Sequence, residues 1–158
     1  MRRSETGDLW AHYRRALLRI DVADRTLAVR LVPARPAGTR GPWPFDLSVV
    51  VLTAWNPGSL PRRARANALA QARLERELRA GGHVLLSAEG VGEDSGWVEP
   101  SVAVPGLDLA EAVALGVRHG QRALYRLDAS GADVVGCLDA GRSERWPWES
   151  RWERHGQR

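Results

Sequence analysis

The most apolar stretch of the chain runs through Asp46–Trp55, where Leu47, Val49, Val50, Val51 and Leu52 leave no room for a solvent-facing side. Such a run predicts a central strand covered on both faces. Upstream, Leu27, Val29 and Leu31 alternate with Ala28 and Arg30, the period of a half-buried strand. Strands are therefore predicted over Leu17–Val22 and Thr26–Val32, joined by a polar turn at Ala23–Arg25, with a short amphipathic helix before them from Asp8 to about Arg15. Downstream, a long helical pattern from about Leu60 to Ala80 stops at Gly81-Gly82, a C-terminal helix signal. Short strands follow over His83–Ala88 and "WVEPSVAV", separated by the glycine-rich loop "EGVGEDSG". Asp108 is placed to cap a second helix over Leu109–Val117. Arg122–Leu127 and Asp133–Leu138 make a closing hairpin.

Between these elements "PARPAGTRGPWPF", Pro33–Phe45, holds four prolines and two glycines and predicts an irregular surface loop. The last stretch, "GRSERWPWESRWERHGQR", shows no clear period, and there is no internal repeat. The order of elements is not a strict strand–helix alternation. It predicts an α+β fold, a mixed, mainly antiparallel sheet with two or three helices packed on it. One domain is expected over 1–140, followed by a Trp/Arg-rich tail over 141–158.

Composition narrows the class. A chain of 158 residues, 44% hydrophobic and 27% charged, has the makeup of one soluble globular domain. No stretch reaches the apolar length of a membrane span, and "MRRSETGDLW" lacks the apolar core of a secretory signal. Cys137 is the single cysteine, so neither an internal disulfide nor a cysteine zinc cluster is expected, and a reducing cytoplasm is the expected compartment. All 23 basic residues are arginine, yet the net charge is only +4 because acids are interspersed. With the abundance of Ala, Gly, Val and Leu, this reads as a GC-rich bacterial coding bias. It gives little support to a nucleic-acid partner, which calls for cations gathered on one face.

Candidate chemistry begins at "TAWNPGS", Thr53–Ser59. Pro57 disfavours a helical Asn56, Gly58 supplies backbone freedom, and Ser59 can cap the helix with Pro61 in its first turn. At about 100° per residue, Leu60, Ala64, Asn67, Gln71, Leu74 and Leu78 share one stripe facing the sheet. Buried amides need partners. Asn67 therefore either braces the Asn56 turn or lines a polar pocket beneath the helix start. Arg62, Arg65, Arg73 and Arg76 gather on the opposite, solvated face with Leu69. Arg62, Arg63 and Arg65 also crowd the positive end of the helix dipole while Glu75 and Glu77 lie toward its negative end, the unfavourable sense. That inversion is explained if an anion sits on the backbone N–H groups at Gly58–Ser59.

A second constellation lies on "WVEPSVAV". Trp97, Glu99 and Ser101 share one face of the strand, a stacking surface, a carboxylate and a hydroxyl in line. Pro100 predicts an edge strand or bulge. Against this, Glu99 could simply pair with an arginine. Gly90, Gly92 and Gly96 do not match the dinucleotide fingerprint but suit a loop over a site. There is no lysine for a phosphate loop, no Gly-x-Ser-x-Gly elbow and no metal-ligand spacing among His12, His83, His119 and His155; no metal or cofactor is expected. Cys137 reads as core. Trp146, Trp148 and Trp152 alternate with Arg142, Arg145, Arg151 and Arg154 in the tail, either as a single-strand stacking surface or as anchors docking the tail.

"TAWNPGS", Asn67, "WVEPS", "VPG" at Val104–Gly106 and "GQRALY" from Gly120 to Tyr125 resemble the bacterial domain-of-unknown-function family 3293. The similarity covers about residues 9 to 128 and is most specific at Asn56-Pro57, Asn67, Trp97-x-Glu99-x-Ser101 and Gly120-Gln121, with His119 where an aromatic is expected. The resemblance implies a small stand-alone bacterial protein without an established activity, and it adds Gln121 to the candidate residues. Together these readings predict a pocket for a small anionic or nucleotide-like ligand at the Asn56–Ser59 junction. Asn56, Ser59, Arg62, Arg63, Asn67, Trp97, Ser101 and Gln121 would contact the ligand, and Glu99 would be the one general acid or base. The alternative is a non-catalytic interaction module that contacts nucleic acid or an acidic protein through the arginine-rich helix face and the tail.

Overall fold

The computed structural model describes residues 3–32, 38–93 and 95–155. Positions 33–37 of the proline-rich loop, Asp94 of the glycine-rich stretch and the last three positions of the tail lie outside the described residues. The chain forms α1 (Arg3–Arg15), β1 (Ala16–Val22), β2 (Arg25–Leu31), β3 (Val49–Leu52), α2 (Ala64–Ala80), β4 (Leu86–Gly92), β5 (Trp97–Pro105), α3 (Leu109–Arg118), β6 (Ala123–Asp128), β7 (Gly131–Gly136), β8 (Ser143–Trp146) and β9 (Trp148–Arg154). The nine strands make one sheet in the order β8-β7-β6-β3-β5-β4-β1-β2-β9. Every strand pairing is antiparallel; the parallel contact is an isolated bridge between Arg40 and Glu149. This is the expected α+β class. Among the described residues no helix is long and apolar enough to cross a membrane.

The sheet curls strongly. β8 and β9 lie at its two edges but are separated in sequence by Pro147 alone, so the edges must approach one another where the chain passes between them. The curl divides the apolar side chains into two clusters. Inside lie Leu18, Ile20, Leu27, Val29, Val49, Val51, Leu127, Val134 and Trp148, with Trp10 of α1. Outside, α2 and α3 cover Val50, Leu52, Val102, Val104 and Leu124 with Leu74, Leu78, Ala112 and Leu115. The four residues of β3 alternate between the two clusters and are all buried, which accounts for its continuous apolar run.

Several elements differ from the sequence reading. The stretch 143–154, read as aperiodic tail, supplies both edge strands. β9 pairs with β2 along its whole length, from Leu31↔Trp148 to Arg25↔Arg154. Trp148, at 1% exposure, donates from Nε1 to the Asp128 carbonyl at 2.8 Å and packs against Trp43. Its burial removes it from any stacking surface, and Trp152 lies under the Arg25 guanidinium, 4.1 Å from the ring centroid. The period-2 alternation of Trp148, Ser150 and Trp152 with Glu149, Arg151 and Glu153 was present in the sequence, obscured by charges that face outward in pairs such as Arg19–Glu153.

The helix boundary at the Asn-Pro-Gly-Ser junction also moves. Pro57–Ser59 form a short 3-10 turn, and α2 begins only at Ala64 with Arg63 at its N-cap. Ser59 therefore does not cap α2, and Leu60 is exposed. Half of the glycine-rich stretch is strand: Glu89, Gly90, Val91 and Gly92 continue β4, and Glu93, Ser95 and Gly96 lie in a turn. Asp108 caps α3 as expected, accepting from the Glu111 N–H at 3.2 Å.

Candidate functional site

Pro57 cannot follow a helical residue, and the backbone meets that constraint by placing Asn56 at φ 46°, with Ser59 at φ 61°. Two left-handed non-glycine residues within four positions cost on the order of 1 kcal/mol each and persist only where their surroundings over-determine them. Here they do. The Asn56 N–H donates to Asn67 Oδ1 at 2.8 Å, and Asn56 Oδ1 accepts from Asn67 Nδ2 at 2.7 Å and from the Arg62 N–H at 3.0 Å. One turn along α2, Gln71 Oε1 accepts from the Ala54 N–H at 2.8 Å and the Thr53 hydroxyl at 3.2 Å. The amide stripe of α2 thus braces the 53–56 segment.

A second brace comes from the connection between α3 and β6. The Gly58 N–H donates to the Gly120 carbonyl at 2.6 Å, and Gln121 Nε2 donates to the Trp55 carbonyl at 3.2 Å. Gly120 sits at φ 70°, and an added Cβ there would lie 2.9 Å from Pro57 Cβ. Glycine is required at that position by both backbone conformation and space. The Gly120-Gln121 pair and Asn56-Pro57 are therefore two halves of one contact.

Held this way, the 53–61 segment walls one side of a cavity of about 540 Å³. The other walls come from α1 (Leu9, His12, Tyr13), from β4 and β5, and from the start of β6. Among the predicted residues Asn56, Ser59, Trp97, Glu99, Ser101 and Gln121 line it together. Asn67 is buried behind the wall as a brace and does not line it. Arg62 and Arg63 are exposed and do not line it either.

The expected anion site at the helix start is corrected by the same geometry. The Gly58 N–H is taken by Gly120 and the Ser59 N–H by the Asn56 carbonyl at 2.9 Å. The acidic half of the inverted charges has another cause: Glu77 is bound by Arg118 and, at 2.8 Å, by His119 at the end of α3, while Glu75 pairs with Arg79 at 3.4 Å.

Pro100 is explained by strand length. β5 is paired on both sides at Val102 and Ala103, but β3 ends at Leu52 opposite Val102. Beyond that point β5 overshoots, and the Pro100 carbonyl accepts from the Thr53 hydroxyl at 2.7 Å. An internal strand thus behaves locally as an edge.

Glu99 is the one carboxyl among the described residues that line the cavity. It points inward with Trp97 and Ser101, is 7% exposed, and forms no ion pair among the described residues. Burial pushes its carboxyl up to about 8, with the Thr53 side chain opposing the shift. At neutral pH it is therefore a neutral acid able to donate a hydrogen bond. Across the β4–β5 ladder its partner is Gly90, where an added Cβ would meet no atom within 4 Å. The absent side chain leaves room beside the carboxyl. Tyr13 reaches toward Ser59 (Oη to Oγ 3.4 Å) and Tyr125 Oη donates to the Tyr13 carbonyl at 2.7 Å. Burial raises both phenols above their ordinary range, so both stay neutral.

Sequence reasoning missed His12, Tyr13 and Gly90 as cavity residues. Tyr125 was legible through its alternation with Ala123 and Gln121; α1 carries no local sign that its His12–Tyr13 face meets β5. Cys137 packs against α3, where Gly116 lets it approach, and burial pushes its thiol up to about 11. It is core, not nucleophile. No group of three His, Cys, Asp or Glu among the described residues is placed to hold a metal ion.

Residues 52–124 match a family described as a protein of unknown function, DUF3293. The match covers less than half of the chain and supports, over this segment, the resemblance read from the motifs. No curated protein and no solved structure matches the chain. The family segment is shorter than the span from 9 to 128 read from the motifs. It contains both braces and most of the cavity wall, from Thr53 to Ala123, while His12, Tyr13 and Tyr125 lie outside it.

Proposed function

We propose that the protein binds a small organic molecule in this cavity, with Glu99 as its polar anchor. The observation that carries the reading is a buried carboxyl facing open space opposite Gly90, in a chain where arginines are otherwise plentiful beside acids. A volume of about 540 Å³ is within the range of small-molecule sites, which combine apolar walls with few polar groups. The expectation of an anionic or nucleotide-like ligand loses its main support, because Arg62 and Arg63 do not line the cavity. Titrating near neutral pH, Glu99 is also suited to act as a general acid or base.

The test is a thermal-shift screen of small aromatic and aliphatic compounds on wild type beside Gly90→Val, which places a side chain next to Glu99 without removing it. A ligand at a hundred times its dissociation constant adds about 2.7 kcal/mol. Shifts in wild type that Gly90→Val abolishes support the reading; shifts that persist in the variant, or a flat screen, overturn it.

A second reading has one observation in its favour. Arg62, Arg63, Arg65, Arg73 and Arg76 are all exposed, and none forms an ion pair among the described residues. An anionic polymer on this face would bind with a steep salt dependence, measurable by fluorescence anisotropy of labelled RNA and DNA at two ionic strengths.

A further inference from the structure

We propose that the cavity takes a small organic cation, an amine with an apolar body, whose ammonium group lies against the Glu99 carboxyl beside the rings of Trp97, Tyr13 and Tyr125. The inference rests on the preceding reading that the cavity is a binding site, and names the class of its ligand.

Three features of the cavity converge. First, among its described lining residues Glu99 is the one carboxyl, and no arginine joins it. The chain's other buried carboxyl, Glu89, has Arg19 at 3.7 Å, and Glu144, Glu153, Asp128, Asp133 and Asp139 are each within ion-pair distance of an arginine. With 23 arginines available, the carboxyl facing the cavity is left for a cation that the chain does not supply. Second, three aromatic side chains share the lining, and aromatic rings attract cations through their quadrupole, most strongly where water is excluded. Third, the missing side chain at Gly90 leaves space directly across the ladder from Glu99.

The groups that face Glu99 are few. α1 presents His12 and Tyr13, β6 presents Tyr125, the end of β3 presents the Thr53 hydroxyl, β4 presents Gly90, and β5 itself adds Trp97 and Ser101. Arg122 and Asp139 act on Tyr13 and pair with each other at 3.1 Å. An empty cavity favours the protonated acid. Arrival of an ammonium group favours the carboxylate, so the neutral acid plus the cation becomes a carboxylate–ammonium pair and one proton passes to the buffer.

The experiment uses the full chain and three probes of one shape: phenethyltrimethylammonium, 2-phenylethanol and 3-phenylpropionate. Titration calorimetry in two buffers of different ionisation enthalpy, from pH 6 to 9, reads affinity and proton release. The quaternary cation should bind more tightly than the alcohol and release close to one proton at pH 7. Its affinity should rise by about tenfold per pH unit well below the Glu99 pKa of about 8 and level off above it. Glu99→Gln should lose about tenfold or more of the affinity at pH 8.5, together with the pH dependence. His12→Gln should keep the pH dependence, which assigns that dependence to Glu99. Binding of the alcohol or the carboxylate in preference to the cation overturns this inference and leaves the cavity reading standing. Absence of any amide shift around the cavity with all three probes, followed by NMR, overturns both.

Discussion

The two faces of β3 lead to two interiors that treat buried polar groups in opposite ways. On the outer face, Asn67 and Gln71 of α2 turn their amides onto the 53–56 backbone, and three of the bonds they form are 2.8 Å or shorter. Of the side-chain atoms of these two amides, Gln71 Nε2 is the one without a partner among the described residues. On the inner face, Glu99 is equally buried but turns toward open volume. The outer polar groups thus satisfy the protein's own backbone, whereas the inner one is left in a form that costs desolvation and gains little inside the fold. Placement in a sheet-facing position did not distinguish the two groups; what each side chain meets there does.

This contrast can be broken or sharpened by substitution. The largest effect is expected away from the cavity, where the inner cluster is closed by Trp148. Trp148→Ala should cost about 3–5 kcal/mol in denaturant unfolding, and a loss below 1 kcal/mol would mean that the edge strands are not held together there. Asn67→Ala removes the acceptor of the Asn56 N–H and one donor to Asn56 Oδ1. It should cost about 1–3 kcal/mol by leaving a half-buried backbone N–H unpaired. An unchanged midpoint would erase the distinction between brace and cavity.

Glu99→Gln should act through pH. The folded carboxyl sits at about 8 against an unfolded 4.5, so the folded state holds the proton more tightly. Its stabilising contribution is full below about pH 4.5 and is lost as pH rises to about 8, at up to about 1.4 kcal/mol per pH unit. Wild type should lose stability across that window relative to Glu99→Gln, whose profile should lack this slope. Parallel profiles would remove the protonated acid from the picture. The smallest effect is expected at Gly90→Val, within about 1 kcal/mol because the added side chain enters open space; a larger loss would show that the cavity is filled by the protein itself.

Much of the wall was legible in the chain before its fold. The inward strip Trp97, Glu99 and Ser101 follows from strand periodicity alone, and the amide stripe of α2 from helical periodicity, since both depend on local backbone geometry. The helix start was misread because Ser59 has the chemistry of a cap while its left-handed φ takes it out of the helix; local propensity cannot weigh that against the bonds to Gly120 and Asn67. The helix charges were misread for a related reason. Glutamates near a helix C-terminus look misplaced until their partners, here His119 and Arg118 on Glu77, are seen, and Arg62 and Arg63 look like ligand contacts until they are seen to lie outside the cavity lining.

What the sequence determined by itself is the class of fold, most of the strands and which of their side chains share a face, and the residue types available for a polar site, because these rest on periods of two and about 3.6 residues. Only the tertiary structure decided which polar groups are consumed. It folded 143–154 back as both edges of the curl, brought His12 and Tyr13 of α1 into the cavity wall, and left Gly90 opposite Glu99. Those are contacts between segments tens of residues apart, set by which apolar faces can be buried together. Whether a carboxyl meets an arginine, a backbone amide or an open cavity is a property of that packing and not of the stretch that carries it.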